Sequence, residues 1–275
     1  MRCSIVSKRW KLLTTFLPNL KFSTTDFSSS SCDNIIDGIF RRHSGSIELF
    51  EFRNTSRPTS MHALRHNICE WIRCAALKNV KEIKIEEIWR TAEIPNSIFL
   101  CHRLRSLAVK SFSLTNIPAS FGGFGSLTTL NFHNVELHDK TIEDMLRFCP
   151  ILEIFVLNNC YGLQRLKICS DRLISLDISS PIKAIAVNCT RLTSFVFREC
   201  SCREIEAFLP ACLSLSTNVG EIEMLRTIKS VRNMTLFVRT FSNTMSEKHV
   251  EILSEFPNLE QLCIYHADLF QLVRF

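Results

Sequence analysis

A triad of apolar residues with L-x-x-L-x-L spacing recurs along this chain and constrains its fold more than any other feature. It reads Val80-Ile83-Ile85, Leu104-Leu107-Val109, Leu127-Leu130-Phe132, Leu152-Phe155-Leu157, Leu173-Leu176-Ile178 and Leu192-Phe195-Phe197. Successive triads begin 24, 23, 25, 21 and 19 residues apart. A unit of that size cannot enclose a core, so each must cover the apolar face of the next and the units must stack.

The period lies in or just below the range of about 20–29 residues that marks leucine-rich repeats. It predicts an α/β leucine-rich-repeat solenoid of short parallel strands with intermittent helices. Ile35, Ile36, Ile39 and Phe40 fall at helical spacing, and Ile47, Leu49, Phe50 and Phe52 read as a strand. A helix is predicted from about Met61 to Ala75, with Met61, Leu64, Ile68, Trp71, Ile72 and Ala75 on one side. Another is predicted over Asp139–Phe148, with Asp139 as N-cap, and a third from Ser246 to Glu255, before a rung at Leu259-Leu262-Ile264. Leu163-Leu166-Ile168 and Ile182-Ile185-Val187 fit the same template halfway between neighbouring triads. Ten residues cannot hold a strand, a helix and two turns, so these rungs are read as two short strands, one on each wall. From Glu204 to Glu223 the pattern blurs, and Val231-Met234-Leu236 resumes it.

Charge and cysteine content narrow the function classes. The net charge is +6, but Arg2, Lys8, Arg9, Lys11 and Lys21 supply five of those charges, leaving +1 on the rest. A nucleic-acid binder needs a basic stripe, which the repeat body does not supply. Thirteen cysteines are an odd number in a long chain whose start carries Lys8, Arg9 and Lys11 rather than a secretory signal. Cys160 and Cys200 each lie eight residues after a triad's first leucine, the Asn/Cys position of the repeat. Buried reduced thiols suit a cytoplasmic or nuclear compartment. No apolar run reaches about 18 residues, so no transmembrane helix is expected.

Motifs that could carry chemistry have simpler readings. His62, His66 and Cys69 share a helix face, but it lies opposite the apolar stripe and has no local fourth ligand. Cys200-Ser201-Cys202 with Cys212 is tighter than a zinc knuckle and coincides with packing positions. Gly122-Gly123-Phe124-Gly125 lacks the Lys-Ser or Lys-Thr of a phosphate loop and reads as a turn. Neither G-x-S-x-G nor H-E-x-x-H occurs, so no enzymatic activity, cofactor or metal is expected.

Strand alternation instead predicts a binding face. Its outward residues are Thr129, Asn131 and His133; Ile154, Val156 and Asn158; Ser175, Asp177 and Ser179; and Ser194, Val196 and Arg198. Ile154, Val156 and Val196 would make an apolar centre with a polar surround, the anatomy of a protein interface.

Two stretches resemble plant F-box/leucine-rich-repeat proteins, many of which carry a C-terminal FBD region. Arg2-Cys3-Ser4-Ile5-Val6-Ser7-Lys8-Arg9-Trp10-Lys11-Leu12-Leu13, then Leu17-Pro18-Asn19-Leu20, resembles the last third of an F-box. Asn134–Asp139, Cys149–Glu153 and Asn159-Cys160-Tyr161-Gly162-Leu163 resemble the repeat core of the same family. The resemblance implies a substrate receptor of an SCF-type ubiquitin ligase. Its F-box would hold a Skp1-like adaptor, with Ile5, Val6, Trp10, Leu12 and Leu13 as apolar positions of the adaptor-binding or packing helices, and its repeats would bind an unknown protein substrate. The expected division is an F-box remnant at 1–22, a linker and entry segment at 23–60 and the solenoid at 61–275. The family's earlier F-box helices have no counterpart here, so the F-box is expected to be N-terminally shortened and its hold on the adaptor weakened or lost. The alternative is a repeat scaffold or decoy that binds a protein partner without recruiting a ligase.

Overall fold

The computed structural model of the chain describes residues 14–26, 32–54, 61–87, 93–198, 202–218, 222–225, 227–238, 247–266 and 269–274. Contacts divide it into two compact units, Met1–Glu136 with Arg147–Pro150, and Leu137–Leu146 with Ile151–Phe275.

In the first unit the parallel strands are β1 (Asn19–Ser23), β2 (Leu49–Arg53), β3 (Glu82–Glu86), β4 (Ser106–Lys110) and β6 (Thr129–His133); the two-residue β5 (Ser113–Leu114) lies between the last two in sequence but outside their ladder. Helices α1 (Cys32–Arg42) and α2 (Met61–Leu77) fill the longer connections. Register aligns Leu20, Phe50, Ile83, Leu107 and Leu130 in one buried column and Phe22, Phe52, Ile85, Val109 and Phe132 in the next. One carbonyl ties each rung to the following one. The oxygen of Pro18 accepts the N–H groups of Glu48 and Leu49, that of Glu48 those of Lys81 and Glu82, and that of Lys81 those of Arg105 and Ser106. Both lone pairs of each oxygen are thereby used.

The sheet reaches further upstream than residue 61. Leu17-Leu20-Phe22 and Ile47-Phe50-Phe52 are triads of the same template, separated by the helix-bearing connections that hide their period. Leu17-Pro18-Asn19-Leu20, part of the F-box resemblance, therefore leads into β1. Ile68, Trp71, Ile72 and Ala75 of α2 are buried, and the Trp71 indole N–H donates to Asp37 Oδ1 of α1 at 2.7 Å. The side chains of Met61 and Leu64, expected on that stripe, lie outside the described residues. The glycine-rich stretch is a turn. Gly123 takes φ +102° against the Phe148 carbonyl, which accepts the Phe124 N–H at 2.8 Å. Around it the rings of Phe99, Phe121, Phe124 and Phe148 pack with centroids 4.7–6.1 Å apart.

Beyond β7 (Glu136–Leu137) come α3 (Asp139–Arg147) and the second unit's two sheets. One comprises parallel β8 (Ile154–Asn158), β10 (Ser175–Ser179), β12 (Ser194–Arg198), β14 (Ser214–Asn218), β15 (Asn233–Val238) and β16 (Gln261–His266). The other is β9 (Arg165–Cys169), β11 (Ala184–Asn188) and β13 (Glu204–Phe208), in the order β13-β11-β9. These are the two strand series of the shorter rungs. Helices α4 (Ile222–Leu225) and α5 (Glu247–Ser254) lie in the later connections, and β17 (Leu269–Arg274) turns back antiparallel along the edge of β16.

β13 and β14 fall where the sequence pattern blurs. Their triads are Cys202-Ile205-Ala207 and Cys212-Leu215-Thr217, in which small or polar residues replace leucines. Cys212 and Thr217 are nevertheless fully buried. Asp139 is the first residue of α3, but its carboxylate serves the next rung. Its oxygens accept the N–H groups of Gln164 and Arg165 at 2.8 and 3.0 Å, where β9 begins.

Ser111, Asn134 and Asn159 each follow a strand with φ of 62°, 55° and 51°, a conformation that asparagine tolerates better than most residues. Gly162 takes φ +92°, and a Cβ there would stand 2.5 Å from the Leu137 carbonyl oxygen. Gly162→Ala is expected to cost about 1–3 kcal/mol in urea denaturation. Gly125→Ala, which meets nothing within 4 Å, should change stability by less than about 0.5 kcal/mol. Burial pushes the thiols of Cys101, Cys149 and Cys212 up to about 12 and that of Cys189 to about 11. Alkylation of the native chain near pH 8, read by mass spectrometry, should label exposed Cys169 and spare these four until the chain unfolds.

Candidate protein-binding face

Every other residue of a strand points away from the core, so the register determines which outward side chains become neighbours. In the second unit, three rows cross the large sheet. The first is Ile154, Ser175, Ser194, Ser214, Asn233 and Gln261; the second is Val156, Asp177, Val196, Ser216, Thr235 and Cys263. The third begins Asn158, Ser179 and Arg198, and later includes Phe237 and Tyr265.

This arrangement corrects two expectations. Ile154, Val156 and Val196 do not form one apolar centre, because Asp177 lies between Val156 and Val196 in the second row. Ser179 is not an exposed contact residue. It is 4 % exposed, and its hydroxyl donates to Asp177 Oδ1 at 2.8 Å, orienting that carboxylate. Ile154 is 39 % exposed, whereas Val156, Asn158, Ser175, Asp177, Ser194, Val196 and Arg198 are half-buried. The face is thus a polar sheet surface with separated apolar points around an oriented carboxylate.

An aromatic ladder that alternation could have revealed extends this face. The Arg198 guanidinium lies over the Phe237 ring at 4.8 Å, and Phe237 stacks on Tyr265 with centroids 5.2 Å apart at 11°. Asn218, between β12 and β15 on β14, is buried. Phe237 and Tyr265 follow the Val231 and Leu259 triads at the offset used for the earlier outward residues.

In the first unit, Thr129, Asn131 and His133 are half-buried on β6, beside a strongly charged surface. Across the strands Lys21 faces Glu51, Glu51 faces Lys84, and Arg53, Glu86 and Lys110 alternate in sign up to His133. Lys21 and Arg53 approach Glu51 at 3.7 and 2.7 Å, and Lys110 pairs with Glu86. Burial, then the Lys110 ammonium, lowers the His133 pKa from its ordinary value, while Glu86 opposes the shift.

The adaptor-binding or packing positions implied by resemblance, Ile5, Val6, Trp10, Leu12 and Leu13, lie outside the described residues, as does Cys200. The side chains of His62 and His66 are also outside them. Cys160 is buried at its repeat position, and Cys202 and Cys212 direct their thiols to backbone carbonyls at 3.2–3.4 Å. Among the described residues no group of three His, Cys, Asp or Glu could hold a metal ion, and no helix is long and apolar enough to cross a membrane.

The family model for the leucine-rich repeats of FBD-associated F-box protein At5g56370 matches residues 68–210, which is just over half of the chain. The chain belongs to this family of F-box/leucine-rich-repeat proteins. Putative F-box/FBD/LRR-repeat protein At4g03220 of Arabidopsis thaliana is 30% identical over 217 residues, covering 72% of this chain and 42% of the relative. FBD-associated F-box protein At5g38590, also from Arabidopsis thaliana, is 30% identical over 161 residues, or 54% of this chain and 37% of the relative. The chain therefore spans about two fifths of the length of these family members. The family match covers β3 to β13, including the outward residues predicted on β6, β8, β10 and β12.

The His133 shift can be measured directly. In an NMR titration its midpoint should lie below that of an unperturbed histidine, and Lys110→Met should raise it.

Proposed function

We propose that the chain acts as the target-recognition part of a substrate receptor of an SCF-type ubiquitin ligase. In this reading its F-box segment engages a Skp1-like adaptor, and the outward face of β8–β16 engages a protein target. Family membership supports the adaptor role, and the register-aligned face supports the recognition role. The observation that carries it is the oriented Asp177 carboxylate between Val156 and Val196, with Ile154 exposed in the adjoining row. Such a surface suits a target segment that presents a cationic group flanked by apolar side chains. The receptor contributes contacts rather than catalysis. This reading places the chain in a reducing cytoplasmic or nuclear setting, where its cysteines stay free thiols.

Calorimetric titration of the intact 275-residue chain with a purified Skp1-like adaptor should give saturable binding. No binding would overturn the receptor reading for this chain and favour the scaffold or decoy alternative. Val156→Asp with Val196→Asp should leave adaptor affinity unchanged and reduce recovery of the ubiquitinated target at least about tenfold, equivalent to about 1.4 kcal/mol. Unchanged recovery would remove this face from target recognition.

A further inference from the structure

The second unit's smaller sheet carries a charge pattern that the receptor reading does not use. Its three strands align Arg165, Ala184 and Glu204 in one row, Lys167, Ala186 and Glu206 in the next, and Cys169, Asn188 and Phe208 in a third. The four charged side chains are exposed, and among the described residues none of them forms an ion pair. Half-buried Ala184 and Ala186 floor a shallow groove of about 200 Å³ between the two stripes, with Glu143 of α3 at its rim. The basic and acidic stripes are about 10 Å apart, two strand spacings.

A face that is positive on one side and negative on the other repels one half of any uniformly charged partner. It is complementary to itself under one rotation. We propose that two copies of this chain meet here, about a two-fold axis that runs parallel to the strands above Ala184 and Ala186. That rotation exchanges the sheet's edges while preserving strand direction. Arg165 then faces Glu204 of the second copy, Lys167 faces its Glu206, and both pairs occur twice. Cys169 meets exposed Phe208 at the ends, while the alanines allow close approach along the axis. The other in-plane two-fold axis, perpendicular to the strands, would set the basic stripe against itself. Isologous contact of a self-complementary patch is the commonest way that identical chains pair. Three short strands form a patch below the size of a standard interface, so the dimer is weak and salt-sensitive.

Sedimentation velocity of the full 275-residue chain from about 1 to about 200 µM tests the proposal. A dimer is expected at about 50 mM salt, with roughly tenfold weaker association at about 500 mM. Arg165→Glu with Lys167→Glu should give a monomer, as should Glu204→Lys with Glu206→Lys. Mixing the two folded variants should restore a dimer, because both stripes are then acidic in one variant and basic in the other. A wild-type chain that stays monomeric at low salt overturns the proposal. So does a dimer indifferent to both reversals, or folded variants that fail to associate when mixed. Should a reversed chain not fold, Glu204→Gln with Glu206→Gln provides the milder form: loss of the dimer supports the assignment, and an unchanged dimer refutes it.

Discussion

The apolar residues of each triad are buried only because the equivalent residues of the neighbouring rung lie beside them. Phe155, Leu176, Phe195, Leu215, Met234 and Leu262 form such a column through the second unit, and the buried column from Leu20 to Leu130 does the same in the first. A rung removed from its neighbours would expose both sides of this layer to water, which is why stability in stacked repeats resides in the interfaces between rungs. Polar backbone follows the same logic. In the second unit the Glu153 carbonyl accepts the N–H groups of Ile174 and Ser175, the Ile174 carbonyl those of Thr193 and Ser194, and the Thr193 carbonyl those of Leu213 and Ser214. Burial and hydrogen bonding therefore impose the same strand spacing.

That spacing also determines the surfaces available for binding. Aligned strands turn residues about twenty positions apart into neighbours, so small changes in each repeat create a patterned sheet face. In the first unit the pattern is alternating charge, including Lys81 with Glu48 at 2.8 Å and Lys110 with Glu86. Exposed pairs of this kind contribute little to folding stability, but they make the surface locally neutral. In the second unit the large sheet presents valines, serines, an oriented aspartate and the Arg198-Phe237-Tyr265 ladder. Shorter rungs there also form the second wall, which places Arg165 and Lys167 on one side of two alanines and Glu204 and Glu206 on the other.

Legibility varied with the residues that occupied the template. Full apolar triads exposed β3, β4, β6, β8, β10 and β12, and the half-period triads exposed β9 and β11. Cys212-Leu215-Thr217 concealed β14 because a thiol and a hydroxyl-bearing residue filled buried positions normally taken by leucine. The triad of β1 was concealed differently, and β2 was legible as a strand but not as a rung, because connections long enough to contain α1 and α2 disrupt the regular count. Ser179 looked accessible by alternation alone, yet it is buried with its hydroxyl turned to Asp177.

By itself, the sequence determined that this chain stacks short strands, because no unit of its recurring triad can bury its apolar residues alone. It also determined the alternation that sends Val156, Asp177 and Val196 outward. Only the tertiary structure decided that Asp177 separates the two valines and that Arg165 and Glu204 straddle Ala184. Alternation within a strand is a local consequence of backbone geometry, whereas register between strands depends on which rungs pack together.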